Sequence, residues 1–184
     1  MGLDMYLSKR FYVKNWNFMQ PEELHEINIK KGGNPCPHID PAKISHIITE
    51  VAYWRKANQI HDWFVNNVQD GDDNCREYWV SKLKLQELYD TCVLVRDNSK
   101  LKDGKIENGY RFDGQKKIPF IEDGKIIEDP SVAKDLLPTS SGFFFGGTDY
   151  DEYYMEDILN TITQLEPLLK DEDDECDFYY RSSW

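Results

Sequence analysis

No stretch of this 184-residue sequence approaches the roughly 18 consecutive apolar residues that a membrane-spanning helix requires. The opening "MGLDMYLSKR" lacks a basic segment followed by an apolar run, so no export signal is expected. Tyr6 stands where the N-myristoylation pattern wants Ser or Thr. These absences predict a cytoplasmic protein with no membrane partner. Paired cysteines are also lacking: Cys36, Cys75, Cys92 and Cys176 are widely separated, which excludes a zinc ribbon or a redox pair and predicts free thiols. Positive charge is short as well. A net charge of −12 would repel a phosphate backbone, so direct nucleic-acid binding is not expected, although an acidic mimic of nucleic acid stays open. No Gly-x-Ser-x-Gly elbow, phosphate loop or His-Glu-x-x-His pattern occurs, so the balance is against an enzyme.

What is present suffices for a folded chain. A composition 40% hydrophobic and 14% aromatic exceeds what a disordered chain carries, and the length suits a single domain over 1–184. The terminal segments "LDMYLSKRFYV" and "DFYYRSSW" are aromatic and roughly alternating, so both read as strands meeting in one sheet. "EINIKK", before "GGNPCP", is a further short strand. Between them a long helix is predicted over 41–68: Asp40 suits the N-cap, Pro41 the first turn, and Ile39 and Ile44 form a hydrophobic staple. Apolar residues then recur from Ile47 to Val68 with a 3.6-residue period.

"EYWV" reads as a strand, and Ser81 caps a second helix that buries Leu85, Leu88, Cys92 and Val95. The Asp-Gly and Asn-Gly signals across 100–130 predict a peripheral, hairpin-rich insertion. "SVAKDLL" is a short helix and "SGFFFGG" a buried strand. Thr148 and Asp151 open a last helix that buries Tyr154, Ile158, Ile162 and Leu165 and should end or kink at Pro167. The run "KDEDDECD" reads as a solvated linker. The fold class is α+β: a small, mostly antiparallel sheet including both termini, packed on one long and two or three shorter helices.

Four segments, "MGLDMYL", "EVAYWRKANQIHDWFVNNVQDGDDNC", "SGFFFGGTDYDEYY" and "DFYYRSSW", resemble a family of small uncharacterised proteins of bacteriophages, prophages and bacteria. The resemblance spans most of the chain, while Lys100 to Pro130 departs from it. It implies a phage-related origin and a bacterial host cell, and it supplies no catalytic residues.

On the predicted helix, Glu50, Trp54, Asn58 and His61 fall on one ridge, flanked by Arg55 and Lys56. An indole to stack on, an amide to read an edge and a cation for a phosphate suit a planar, polar ligand. Glu50, Trp54, Arg55, Asn58 and His61 are therefore the candidate ligand-binding residues of a small binding or interaction protein, its partner a small molecule or a host protein. The alternative is an enzyme acting on a nucleotide-like molecule with His61 as acid or base; the bland reading is that Asn58 and His61 are bonded core groups. "DGDDN" begins like a calcium loop, but Cys75 replaces its glycine and Ser81 its glutamate. The pairs Cys36 with His38, and His46 with His61, lack zinc-ligand spacing, so neither a metal nor a cofactor is expected.

Overall fold

A computed structural model describes residues 2–142, 145–171 and 175–184. The class is α+β, and the termini meet as expected. Strand β1 (Asp4–Tyr12) pairs antiparallel with β8 (Cys176–Ser183), from Asp4 opposite Ser183 to Phe11 opposite Cys176. β8 also pairs with β5 (Tyr78–Val80), and β1 with β4 (His46–Arg55), giving the order β4-β1-β8-β5. Leu3, Met5 and Leu7 of the first segment and Phe178 and Tyr180 of β8 point one way and are buried. That alternation is the period of two that a half-buried strand requires.

The long helix is corrected. Residues 46–55 are β4, and helix α1 covers only Asn58–Asn67. The cap signals were real, but they close a single 3₁₀ turn: Asp40 accepts from the Ala42 N–H at 3.1 Å, over Pro41–Lys43. Beyond it, Ile47, Ile48, Thr49, Val51, Tyr53 and Trp54 are β-branched or aromatic, and such residues fit a pleated strand better than a helix. The chain leaves β4 through Lys56, at φ +62°, and an inverse γ-turn at Ala57, whose flanks are bonded from the Asn58 N–H to the Lys56 carbonyl at 2.9 Å.

Helix α2 (Lys82–Asn98) is capped by Ser81, whose Oγ accepts from the Lys84 N–H, and it buries Leu85, Leu88, Cys92 and Val95. Helix α4 (Glu152–Lys170) is capped by Asp151 and buries Tyr154, Ile158, Ile162 and Leu165. It runs through Pro167 to Lys170, although Pro167 has no N–H to donate to the Thr163 carbonyl one turn back. Helix α3 (Ser131–Leu136) lies between. β2 (Lys30–Lys31) and β3 (Asn34–Pro35) form a minimal hairpin in place of the strand expected at "EINIKK".

Residues 101–127 form one long hairpin, β6 (Leu101–Asp113) with β7 (Lys116–Ile127). Gly114, at φ +63°, is the first central residue of its two-residue turn. Its base is not wholly peripheral: Ile106 and Ile127 are buried, and Gly104 and Gly124 leave room for the side chains of Ile126 and Ile106. Of the expected "SGFFFGG" strand, Gly142 and Phe145–Gly147 are not in a strand, and Phe143 and Phe144 lie outside the described residues. The middle of the acidic run, 172–174, also lies outside them.

β8 is an inner strand, so its loss strips β1 and β5 together. Deleting Phe178–Trp184 should abolish cooperative thermal unfolding followed by circular dichroism, because both neighbours then expose buried aromatic and aliphatic side chains.

Candidate functional site

The ridge expected on one helix is dispersed. Glu50 lies on β4 opposite Ser8, exposed, on the sheet face opposite to Trp54. Trp54 is sealed in the core and donates from Nε1 to Thr161 Oγ1 at 2.9 Å. Arg55 is exposed, its Nε 4.0 Å from the Asp4 carboxylate. Only Asn58 and His61 share α1, and both are about 98–99% buried.

Their polar atoms are occupied by the protein. The Asn58 amide donates to the carbonyls of Phe145 at 3.2 Å and Gly147 at 2.7 Å and accepts from the Ser140 N–H at 2.8 Å. One side chain thereby pins three points of the 139–149 loop. His61 Nε2 lies 3.0 Å from Asp73 Oδ2, and Nδ1 lies 2.8 Å from the Tyr180 hydroxyl. A carboxylate can only accept, so Nε2 carries hydrogen, and in the neutral imidazole Nδ1 then accepts from the phenol. Burial pushes the Tyr180 phenol well above its ordinary pKa, which keeps that hydrogen in place. Asp73 accepts a second bond from Trp184 Nε1 at 3.0 Å. The His61 ring also meets Phe145 edge-on at 5.3 Å. An acid, an imidazole and a hydroxyl in series resemble a catalytic relay, but the hydroxyl belongs to a fully buried ring that no substrate can reach.

In front of this network lies a cleft of about 790 Å³, within the size range of small-ligand sites. Arg55, Lys56 and Gln59 form one side, where β4 turns into α1. Gly142, Phe145, Gly146 and Gly147 form the loop wall that Asn58 holds. Asp151, Tyr153, Tyr154 and Asp157 come from the first turns of α4, and Glu107–Tyr110 from a bulge in β6 where Gly109 takes φ +85°. Gly146 fits its place for two reasons: it sits at φ +99°, and a Cβ there would lie 2.8 Å from the Lys56 carbonyl oxygen.

Five carboxylates line the cleft, Glu107, Asp149, Asp151, Glu156 and Asp157, against two cations, Arg55 and Lys56. Asp151 is committed to capping α4, accepting from the N–H groups of Tyr153 at 2.9 Å and Tyr154 at 3.1 Å. Asp157 is half-buried; its carboxylate accepts from Gln59 Nε2 at 3.1 Å, and its backbone carbonyl accepts from Thr161 Oγ1 at 2.7 Å. Desolvation pushes its carboxyl from 3.8 up to about 7; Glu156 and Asp151 push the same way, and the Gln59 bond opposes them. Among the described residues no group of three or more His, Cys, Asp or Glu side chains is placed to hold a metal ion, and no helix is long and apolar enough to cross a membrane.

Comparison with protein-family models, curated proteins and solved structures returns no match to this chain. Of the candidates from sequence, Arg55 borders the cleft, while Asn58 and His61 stand one layer behind its wall. Gln59, Asp157 and the β6 bulge were missed. The adjacent "NG" at Asn108 and Gly109 signalled the bulge, whereas nothing local distinguishes Asp157 from the other acids of "DYDEYYMED".

Two outcomes are expected in the unliganded protein. Asn58→Ala and His61→Gln should each lose about 1–3 kcal/mol in chemical denaturation, because each strands buried donors or acceptors. Asp157 has a folded pKa above its ordinary value, so its contribution to stability is full below pH 3.8 and is lost as pH rises through about 7. Thermal melts from pH 4 to 8 should therefore fall more steeply for the parent than for Asp157→Asn.

Proposed function

We propose that this is a binding protein whose cleft takes an organic cation, a protonated amine or a guanidinium, either free or carried on a lysine or arginine side chain of a partner. The observation that supports this most is Asp157: a carboxyl set into a cleft wall whose nearest charged neighbours are other acids. Its ionised form lacks a compensating positive charge, and a cation entering the cleft supplies one. The excess of carboxylates disfavours phosphate, and with it the nucleotide-like ligand that the dispersed ridge suggested. Tyr110, Tyr153 and Phe145 offer ring faces and edges, to which a cation with an apolar stem is also suited. His61, enclosed behind Phe145, positions the wall in this reading and performs no chemistry on the ligand. The resemblance to phage and prophage proteins makes a bacterial host cell the place where such cations would be met.

Isothermal titration with spermidine, with arginine methyl ester and with an arginine-rich peptide tests the reading and separates the two sources. Binding must ionise Asp157, so a proton is released and affinity should rise between pH 6 and pH 8. Asp157→Asn should weaken binding about tenfold at pH 8 and flatten that dependence. Tight binding of the peptide alone assigns the site to a partner protein. If none of the three binds, or if AMP binds instead, the cation reading fails.

A further inference from the structure

We propose that the open edge of the sheet is a self-association surface: His46–Glu50 pairs antiparallel with the same segment of a second copy, about a two-fold axis through Ile48. β4 is an edge strand, so one row of its backbone groups faces away from β1. Which groups these are follows from the bonds at its two ends. Val13 N–H donates to the Ser45 carbonyl at 3.0 Å, and Lys56 N–H donates to the Leu3 carbonyl at 2.8 Å. Bonding to β1 alternates along a strand, and the bulge at Val51, opposite the Leu7–Ser8 step, shifts its parity. His46, Ile48 and Glu50 on one side of the bulge, and Tyr53 on the other, therefore turn their N–H and C=O outward.

The two halves of that edge are treated differently. At Tyr53 it is closed from within: Gln164 of α4 accepts from the N–H at 2.8 Å and donates to the C=O at 3.0 Å, as a neighbouring strand would. At His46–Glu50 no such cover is found among the described residues, and every side chain is exposed. Ile47 and Ile48 are 44% and 58% exposed, and the segment holds neither a proline nor a lysine. An open edge bearing isoleucines, with neither proline nor lysine between His46 and the bulge to block pairing, is a template for another strand.

The chain itself supplies a matching strand. With Ile48 opposite Ile48 of the second copy, His46 falls opposite Glu50 and Glu50 opposite His46. All three positions present outward backbone groups, so this register satisfies the open row on both copies. The same three side chains share the sheet face of Arg10 and Tyr12, as the contact between the Tyr12 and His46 rings at 5.2 Å shows. Each imidazole would meet a carboxylate across the axis, and the two isoleucines would cover one another. The contact is isologous and closes at two copies. It lies on the edge strand and is independent of the cation reading of the cleft.

Sedimentation velocity on the full chain, from about 1 μM to about 200 μM, should show a reversible monomer–dimer equilibrium with no larger species. Ile48→Pro is the sharpest variant. It removes an N–H that β1 does not use, so the fold should survive with a melting temperature near the parent's, while self-association weakens at least about tenfold. Glu50→Lys should weaken the dimer, and His46→Glu added to it should restore the pairing with charges exchanged. A chain that stays monomeric throughout, a dimer indifferent to folded Ile48→Pro, or a Glu50→Lys defect that His46→Glu does not repair would each overturn the proposal. Should Ile48→Pro not fold, the charge exchange decides alone.

Discussion

The Tyr180 ring is the point on which the structure turns. It lies almost flat against Phe64, with centroids 3.8 Å apart and planes 8° from parallel, and is fully buried. That stack joins the inner strand β8 to helix α1. Its hydroxyl meets His61, which meets Asp73 beyond α1, which in turn holds Trp184 at the end of β8. Sheet, helix and the loop after the helix are thus closed into one ring of bonds with an apolar floor. The polar part is tolerable inside because each member of the chain finds a partner, whereas a half-satisfied network in that position would oppose folding. The cleft inherits its wall from this arrangement, because Phe145 leans on His61 while Asn58, one turn earlier on the same helix, fixes the backbone around it.

Much of this fold is legible in the sequence where local chemistry and tertiary context agree. The terminal strands announce themselves through alternation, the buried faces of α2 and α4 through 3.6-residue spacing, and Ser81 through its place before an apolar run. The reading goes astray between 41 and 57, where the two levels disagree. Asp40 and Pro41 are sound start signals, but they say nothing of how far a helix runs. The apolar spacing of Ile47, Ile48, Val51 and Trp54 fits a bulged strand as well as a helix. What distinguishes them is branching at Cβ, and the neighbouring β1 that offers the backbone a ladder.

The site was only partly legible, for a related reason. Asn58 and His61 stood out because polar groups interrupted an apolar stripe, and they are indeed buried; the structure answers their hydrogen-bonding needs from the loop, from β8 and from Asp73. The cleft in front of them gathers residues from four separate places in the chain, and Asp157 acquires its character from surroundings that no single segment contains. Sequence patterns report what a residue's own element does with it. The burial of a carboxyl between two helices and a loop is set by long-range packing.

The placing of β8 has a consequence in time. Ser8 bonds to the Tyr179 carbonyl across 171 residues of chain, and β1 forms its other flank only with β4. At synthesis rates of roughly 5–20 residues per second, β1 waits on the order of ten to thirty seconds before its inner neighbour exists. During that interval Leu3, Met5 and Leu7 lack the strand that completes their cover, and the nascent chain displays an incomplete apolar sheet. Completion of the sheet around β1 therefore waits on translation of β8, and synthesis leaves a window in which chaperones, or another nascent copy, can compete for the vacant place beside β1.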